Sequence, residues 1–466
     1  MSTRTQAERA RFDGRVAEQR EGRHAQALLS EALEAGAGEA EVVAQGSETM
    51  AVRFEGEELK LSSADSGSAL GLRVFDDKRM GFSSTNQVGP EARQRAAMGA
   101  LGLARCSPQD GANVLPVHAA VTREVDACDD QLSALGVADI VALARDLVAR
   151  TLAIDPRLRL DSSEVSLRRG AGAVHSSAGV AASASSTSLS LSLFGMAVDG
   201  EDVGGFDYWG GHALNLEAFE GLATESITRF SDAALGNLGA QSSESYTGPV
   251  LFSPSAFMDV FVQPLVAAAS AIAVQRGRSS LKGKLGQTIA TSEFNLLDDP
   301  TDRRLMGLGA FDREGTPTQP FKIIQDGVLQ AYLYNGYAAA VDGVRSTGHA
   351  AGGARSVPGL GAHGLSVAPG DGGSAKDMLG HLDRGLLVGR FSGSVDPASG
   401  DFSGVAKSGR WVEAGEIVRP VRETLFGGNL FDLLPQILRL SSEAEGVMGA
   451  AFSPWAMVDG VAVTAG

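Results

Sequence analysis

Over residues 188–193 the chain alternates serine and leucine without a break and then reaches Phe194. Successive side chains of an extended segment point to opposite faces, so the leucines share one side and the serines the other. A Ser/Ala/Leu linker could have this composition, but alternation of this strictness specifies a half-buried strand with one wet face. The same period of two recurs at residues 41–44, 50–54, 59–61 and 69–75, with Gly56 and residues 76–79 as turns and residues 80–84 as a return strand. Helical patterning occupies residues 4–35, 90–104, 138–153 and 214–235; in the first, Ala25, Leu28, Leu29, Ala32 and Leu33 form an apolar stripe that Gly36 and Gly38 stop. The expected fold class is therefore α+β, opening with an antiparallel sheet and segregated helices.

Beyond residue 249 the pattern is strand and turn. Glycine supplies 59 of 466 residues, against an ordinary share of about 7%, with only 16 prolines and no Gly-X-Y period. That density predicts many tight turns in a mostly β, barrel-like or sandwich unit, whose clearest hairpin runs from Phe321 through Asp326-Gly327 to Leu333. The expected organisation is an N-terminal α+β domain at 1–215, a connecting helix and linker at 216–248, and a β-rich C-terminal domain at 249–466. Within the last, residues 256–274 are apolar enough to raise the question of a membrane span, but Asp259, Gln263 and Pro264 interrupt them and Arg276 and Arg278 follow, which predicts a buried helix.

Charge and cysteine content narrow the function. With 40 Lys+Arg against 56 Asp+Glu, the net charge of −16 disfavours a sequence-independent nucleic-acid binder, which needs clustered cations to neutralise phosphate. Cys106 and Cys128 sit in no metal-ligand or disulfide framework, and Arg4, Arg9, Arg11, Asp13 and Arg15 occupy the place of an export leader's apolar core. Free thiols in a cytoplasmic protein are expected. The seven histidines, His24, His118, His175, His212, His349, His363 and His381, stand singly, and no H-E-x-x-H occurs. His349 and His363 lie in a glycine-rich region, where a metal site could be assembled only through space. Gly307-x-Gly309 and Gly352-Gly353 lack the rest of a phosphate-binding pattern and read as turns, as do Ser392-Gly393 and Ser403-Gly404. The acidic runs at 298–302 and 396–401 fit turn chemistry better than a paired acid/base system, which remains the alternative.

Taken as an ordered set, several of these segments are specific: Leu297-Asp298-Asp299-Pro300, Phe311-Asp312-Arg313-Glu314-Gly315-Thr316-Pro317, Asp326-Gly327-Val328-Leu329, Ser346-Thr347-Gly348-His349-Ala350, Ser399-Gly400-Asp401-Phe402-Ser403-Gly404, Gly409-Arg410-Trp411-Val412-Glu413, Gly428-Asn429-Leu430 and Asp459-Gly460-Val461-Ala462-Val463. The set resembles the TldD/PmbA family, historically called modulators of DNA gyrase, and within it the TldE (PmbA) branch. The resemblance covers nearly the whole chain, with its specificity after about residue 200. It implies a two-subunit protease in which a TldD-like partner carries zinc on an H-E-x-x-x-H helix plus a late cysteine. Placing Pro254 on the family's proline puts Val262, Gln263 and Ala267 at the His, Glu and His positions, no histidine lies between 213 and 348, and no cysteine follows Cys128. The chain is thus expected to hold no catalytic, cofactor or metal-binding residue of its own, with zinc in the partner. The expected partners are a TldD-like subunit in a heterodimer, or a second copy of the chain when alone, and an unfolded or extended peptide, without nucleic acid or membrane. Asp298, Asp299, His349 and Asp401 are the residues expected at a substrate channel or interface. The alternatives are a stand-alone homodimeric scaffold, or an enzyme whose site is assembled in space from His349, Asp298 or Asp401. The apolar face of Phe257, Phe261, Leu265, Ala268 and Ile272 would serve either the chain's own core or a dimer interface.

Overall fold

Two long hairpins sharing an antiparallel seam build the N-terminal half of the computed structural model, which describes residues 11–117, 121, 123, 125–422 and 424–465. Strands β1 (Glu39–Glu55) and β2 (Glu58–Asp76) are joined at Gly56, whose φ of +58° suits a residue without a Cβ. β3 (Arg79–Thr85) extends the sheet beyond β2, and β4 (Leu158–Ser176) and β5 (Ala181–Asp199) beyond β1, followed by the short β6 (Asp202–Val203) and β7 (Asp207–Ala213). The strands are longer than the apolar runs predict. Residues 62–68 are Ser, Ala, Asp and Gly, poor strand formers, yet each is paired with β1, so a neighbouring backbone supplies what propensity does not.

One face of this sheet is covered by helices. α1 (Gly14–Glu34), capped by Asp13, lays Ala25, Leu28, Leu29 and Ala32 beside α2 (Pro90–Cys106) over Val42, Leu70 and Leu72. The N-terminal residues of the helix expected at 4–35 lie outside the described residues, as does His118. The approach of α2 is close: a Cβ on Gly81 of β3 would stand 1.9 Å from the Ala100 carbonyl oxygen. After the short α3 (Asp130–Ala134), α4 (Val137–Leu152) and α5 (Leu216–Gly236) cover the other end of the same face, where Leu189, Leu191 and Leu193 are buried. The opposite face, with Glu41, Val43 and Arg73, meets the C-terminal half, where Ala354 packs on Val43, Ala69 and Val174.

The C-terminal half is a branched, thirteen-stranded mixed sheet. In chain order its elements are β8 (Tyr246–Phe252), β9 (Leu296–Asp298), β10 (Phe321–Gln325), β11 (Val328–Leu329), the separate pair β12 (Ala350–Ala351) and β13 (Gly359–Leu360), β14 (Leu365–Val367), β15 (Arg384–Val388), β16 (Arg390–Val395), β17 (Asp401–Lys407), β18 (Arg410–Glu413), β19 (Glu416–Pro420), β20 (Leu425–Asn429), β21 (Ile437–Val447) and β22 (Ala451–Thr464). β22 is the hub, pairing with β8, β14, β20 and β21. The expected hairpin at 321–333 forms, turning on Asp326 and Gly327, both at positive φ, although its second strand ends at Leu329.

Two expectations are corrected. Ser392-Gly393 and Ser403-Gly404 are not turns: they lie inside β16 and β17, with Gly393 opposite Gly404 and the Phe391 ring where a Cβ on Gly404 would be, 2.4 Å away. The buried helix over 256–274 is not one helix. It starts at Pro254 with Ser253 as N-cap, runs through a π turn at Met258–Val262 into α-helix Gln263–Ala268, breaks at Ser270, and resumes at Ala271–Gln275. Phe257, Phe261, Leu265 and Ala268 are fully buried in the chain's own core among Phe252, Phe294 and Phe402, while Ile272 is partly covered. Among the described residues no helix is long and apolar enough to cross a membrane.

Candidate functional site

The helix that begins at Pro254 places Val262 wholly in the core, while Gln263 and Ala267 face a groove of about 410 Å³ together with Asp259, Phe391 and Pro397. Gln263 donates a hydrogen bond to Asp259 at 3.3 Å. Burial pushes the Asp259 carboxyl up to about 6, against the opposing charge of Arg390. A zinc site needs three or four thiolate, imidazole or carboxylate donors about 2.0–2.3 Å from one point. Valine and alanine have no lone pair, and a glutamine amide cannot take a proton from bound water, so these positions do not fit a metal.

Asp298, the last residue of β9, is buried rather than in a turn. Its Oδ1 accepts the backbone N–H of His363 at 2.8 Å and of Gly364 at 2.6 Å. Its Oδ2 lies 3.1 Å from His349 Nε2 and 3.0 Å from His363 Nδ1. Burial alone would raise this carboxyl, but the hydrogen bonds and charge of the two imidazoles outweigh it and hold Asp298 well below the usual carboxylate range. His349 is fully buried, with the Phe321 ring 4.7 Å from its own and Thr347 Oγ1 2.8 Å from its Nδ1. Asp299 performs the turn chemistry read for the run, accepting from the N–H and hydroxyl of Thr301. Asp401 stands apart: it is exposed at the start of β17 and accepts from Asn429, its cross-strand partner at the end of β20, at 2.8 Å. Of the residues singled out in the sequence, Asp298 and His349 meet, His363 completes the group, and Asp299 and Asp401 do not belong to it.

The segment 311–317 carries charge into the interior. Arg73 Nη2 lies 2.8 Å from Glu41 and 2.7 Å from Glu314, and Arg313 Nη1 2.7 Å from the other oxygen of Glu41, all four side chains being buried. Asp312 beside them is pushed up to about 7, first by burial and then by the charge of Glu314. Composition gave no hint of this network. Its trace is Arg73, a lone charge within the apolar run 69–75, and Glu41 at the head of the run 41–44. Next to it, between the N-terminal sheet and the loops at 306–311 and 353–356, is a cavity of about 1840 Å³. Its wall includes Gly46, Gly67, Gly170 and Gly172, with Arg123, Arg168 and Arg355 among its charged lining.

This architecture is matched by known proteins. Residues 244–465 match the PmbA/TldA metallopeptidase C-terminal domain, and residues 40–104 match PmbA/TldA metallopeptidase domain 1. The chain belongs to the PmbA/TldD family. Among family relatives, the metalloprotease PmbA of Escherichia coli O157:H7 is 28% identical over 430 residues, 90% of this chain and 91% of that one. The metalloprotease PmbA homolog of Haemophilus influenzae is 27% identical over 438 residues, 92% of this chain and 93% of that one. The crystal structure of TldE from Thermococcus kodakarensis has the same fold, with a TM-score of 0.84, 24% identity, and coverage of 95% of this chain and 100% of that one. The PmbA/TldD family is thus one of metallopeptidases, and in this member the side chains of Val262 and Ala267 offer a metal no donor.

Proposed function

We propose that this chain is the non-catalytic, TldE-like subunit of a two-subunit zinc metallopeptidase acting on unfolded or extended peptides in the cytoplasm, with a TldD-like partner supplying the metal site. The observation that supports this reading is the absence of any histidine between 213 and 348 and of any cysteine after Cys128, with Val262 and Ala267 standing at the histidine positions when Pro254 is placed on the family's proline. The scaffold around that helix is nonetheless complete, as a subunit that pairs with a homologous catalytic partner requires. The glycine-walled cavity suits an extended chain held by backbone hydrogen bonds, which read side chains only loosely. A net charge of −16 argues against direct DNA contact, so any influence on gyrase would be indirect.

The test is to purify the chain alone, a TldD-like subunit alone, and the two together, and to follow mass and cleavage of a casein-like unfolded substrate. The expected outcome is a stoichiometric hetero-oligomer that cleaves and is stopped by chelator, with no cleavage by this chain alone. Chelator-sensitive cleavage by this chain alone, or failure of the two to associate, would overturn the proposal.

A further inference from the structure

Away from the Pro254 helix, three chain segments bring the side chains of Asp298, His349 and His363 to one point, with their ligating atoms all within 4.8 Å of one another. We propose that these three residues bind one divalent first-row transition ion in this chain itself. Two imidazoles and a carboxylate are the donors such ions take, and Oδ2 lies about 3 Å from each ring nitrogen, the spacing of neighbouring ligands around an ion bonded at about 2.0–2.2 Å. The groups behind the ligands are those that orient ligands in metal sites: Thr347 holds the remote nitrogen of His349, and the backbone N–H groups of His363 and Gly364 hold the remote oxygen of Asp298. Asp298 and His349 are sealed, whereas the side chain of His363 is 16% exposed, leaving a route in and room for water as a further ligand. Gly307 makes the cradle close: a Cβ there would stand 1.8 Å from the His363 carbonyl oxygen. The competing arrangement is a carboxylate clasped by four N–H donors. The two differ in what lies between Oδ2 and the imidazoles: two protons in one, a single cation in the other.

The ion would tie β9 to the 346–364 segment, so its binding registers as stability and needs no partner subunit. The experiment uses the full chain alone, stripped with chelator, titrated with Co²⁺ by visible absorption and with Zn²⁺ by calorimetry, with elemental analysis of the loaded protein. One equivalent is expected, with a ligand-field spectrum of nitrogen and oxygen ligation and a higher melting temperature in Zn²⁺. His363→Gln should weaken binding at least about tenfold and abolish the thermal shift, while Gln263→Ala leaves both unchanged. Substoichiometric uptake by the wild-type chain overturns the proposal without reference to any variant. So does undiminished binding by His363→Gln, with circular dichroism establishing that the variant is folded.

Discussion

Replacing Arg73 with methionine removes a guanidinium that bridges Glu41 on the N-terminal sheet and Glu314 in the C-terminal half, leaving an apolar side chain of similar length. After the change Glu41 keeps Arg313, and Glu314 keeps only the N–H of Gly336 at 2.6 Å. One buried carboxylate is then uncompensated. Breaking a buried pair from one side costs about 3–5 kcal/mol, most of it the penalty on the charge left behind. For a cooperative unit the size of the N-terminal sheet and its helices, at about 2–4 °C per kcal/mol, the melting temperature should fall by about 6–20 °C. Calorimetry reads this directly, and urea melts followed by tryptophan fluorescence give the free energy. The double variant Arg73→Met/Glu314→Gln should recover much of the loss, because it removes the stranded charge and leaves the Glu41–Arg313 pair intact. The difference should persist in about 1 M salt, which screens exposed pairs but not sealed ones. A single variant within about 1 kcal/mol of wild type, or a double variant no better than the single, would refute the argument that these charges are buried and mutually compensated.

Two further outcomes follow from groups nearby. Asp312, whose folded pKa is about 7 against an unfolded value near 3.8, contributes stability that is complete below about pH 4 and lost as pH rises through 7; Glu41, held below its ordinary value by Arg73 and Arg313 despite burial, contributes in the opposite sense and is lost on acidification. Asp312→Asn should therefore flatten the decline of stability between about pH 4 and pH 7 in urea melts, and an unchanged slope would count against the assignment. Gly81→Ala should cost about 1–3 kcal/mol by forcing α2 off β3, measured as a lowered urea midpoint, and a neutral result would mean the helix has slack at Ala100.

The class of fold was legible because burial on one face leaves a period. Ser188 to Leu193 announced both their strand and its buried side, and the helices 90–104, 138–153 and 214–235 were found within two residues at each end. What was not legible is what a neighbour imposes. The polar 62–68 segment is a strand because β1 lies beside it, and Gly393 and Gly404 look like turns until the ring of Phe391 is laid over them. At the site the same division holds. That Val262 and Ala267 offer a metal no donor could be read by position alone, since an absent side chain needs no geometry. The meeting of Asp298 with His349 and His363 could not, because no helical or strand period spans separations of 51 and 65 residues. The Asp298 run contains good turn residues, and Asp299 uses them, which hid the different task of its neighbour.

The position of β22 at the hub of the C-terminal sheet bears on how this protein is made. Residues 451–464 are synthesised after every strand they join, so β8, β14, β20 and β21 leave the ribosome before their common neighbour exists. Until it arrives, their unpaired edges are open to pairing with other chains. The N-terminal sheet has no such debt, since β1 to β5 and β7 are all present before β8 is translated. Biogenesis should therefore pass through a species with a finished first half and a half-built second one, the stage at which chaperone dependence and aggregation concentrate.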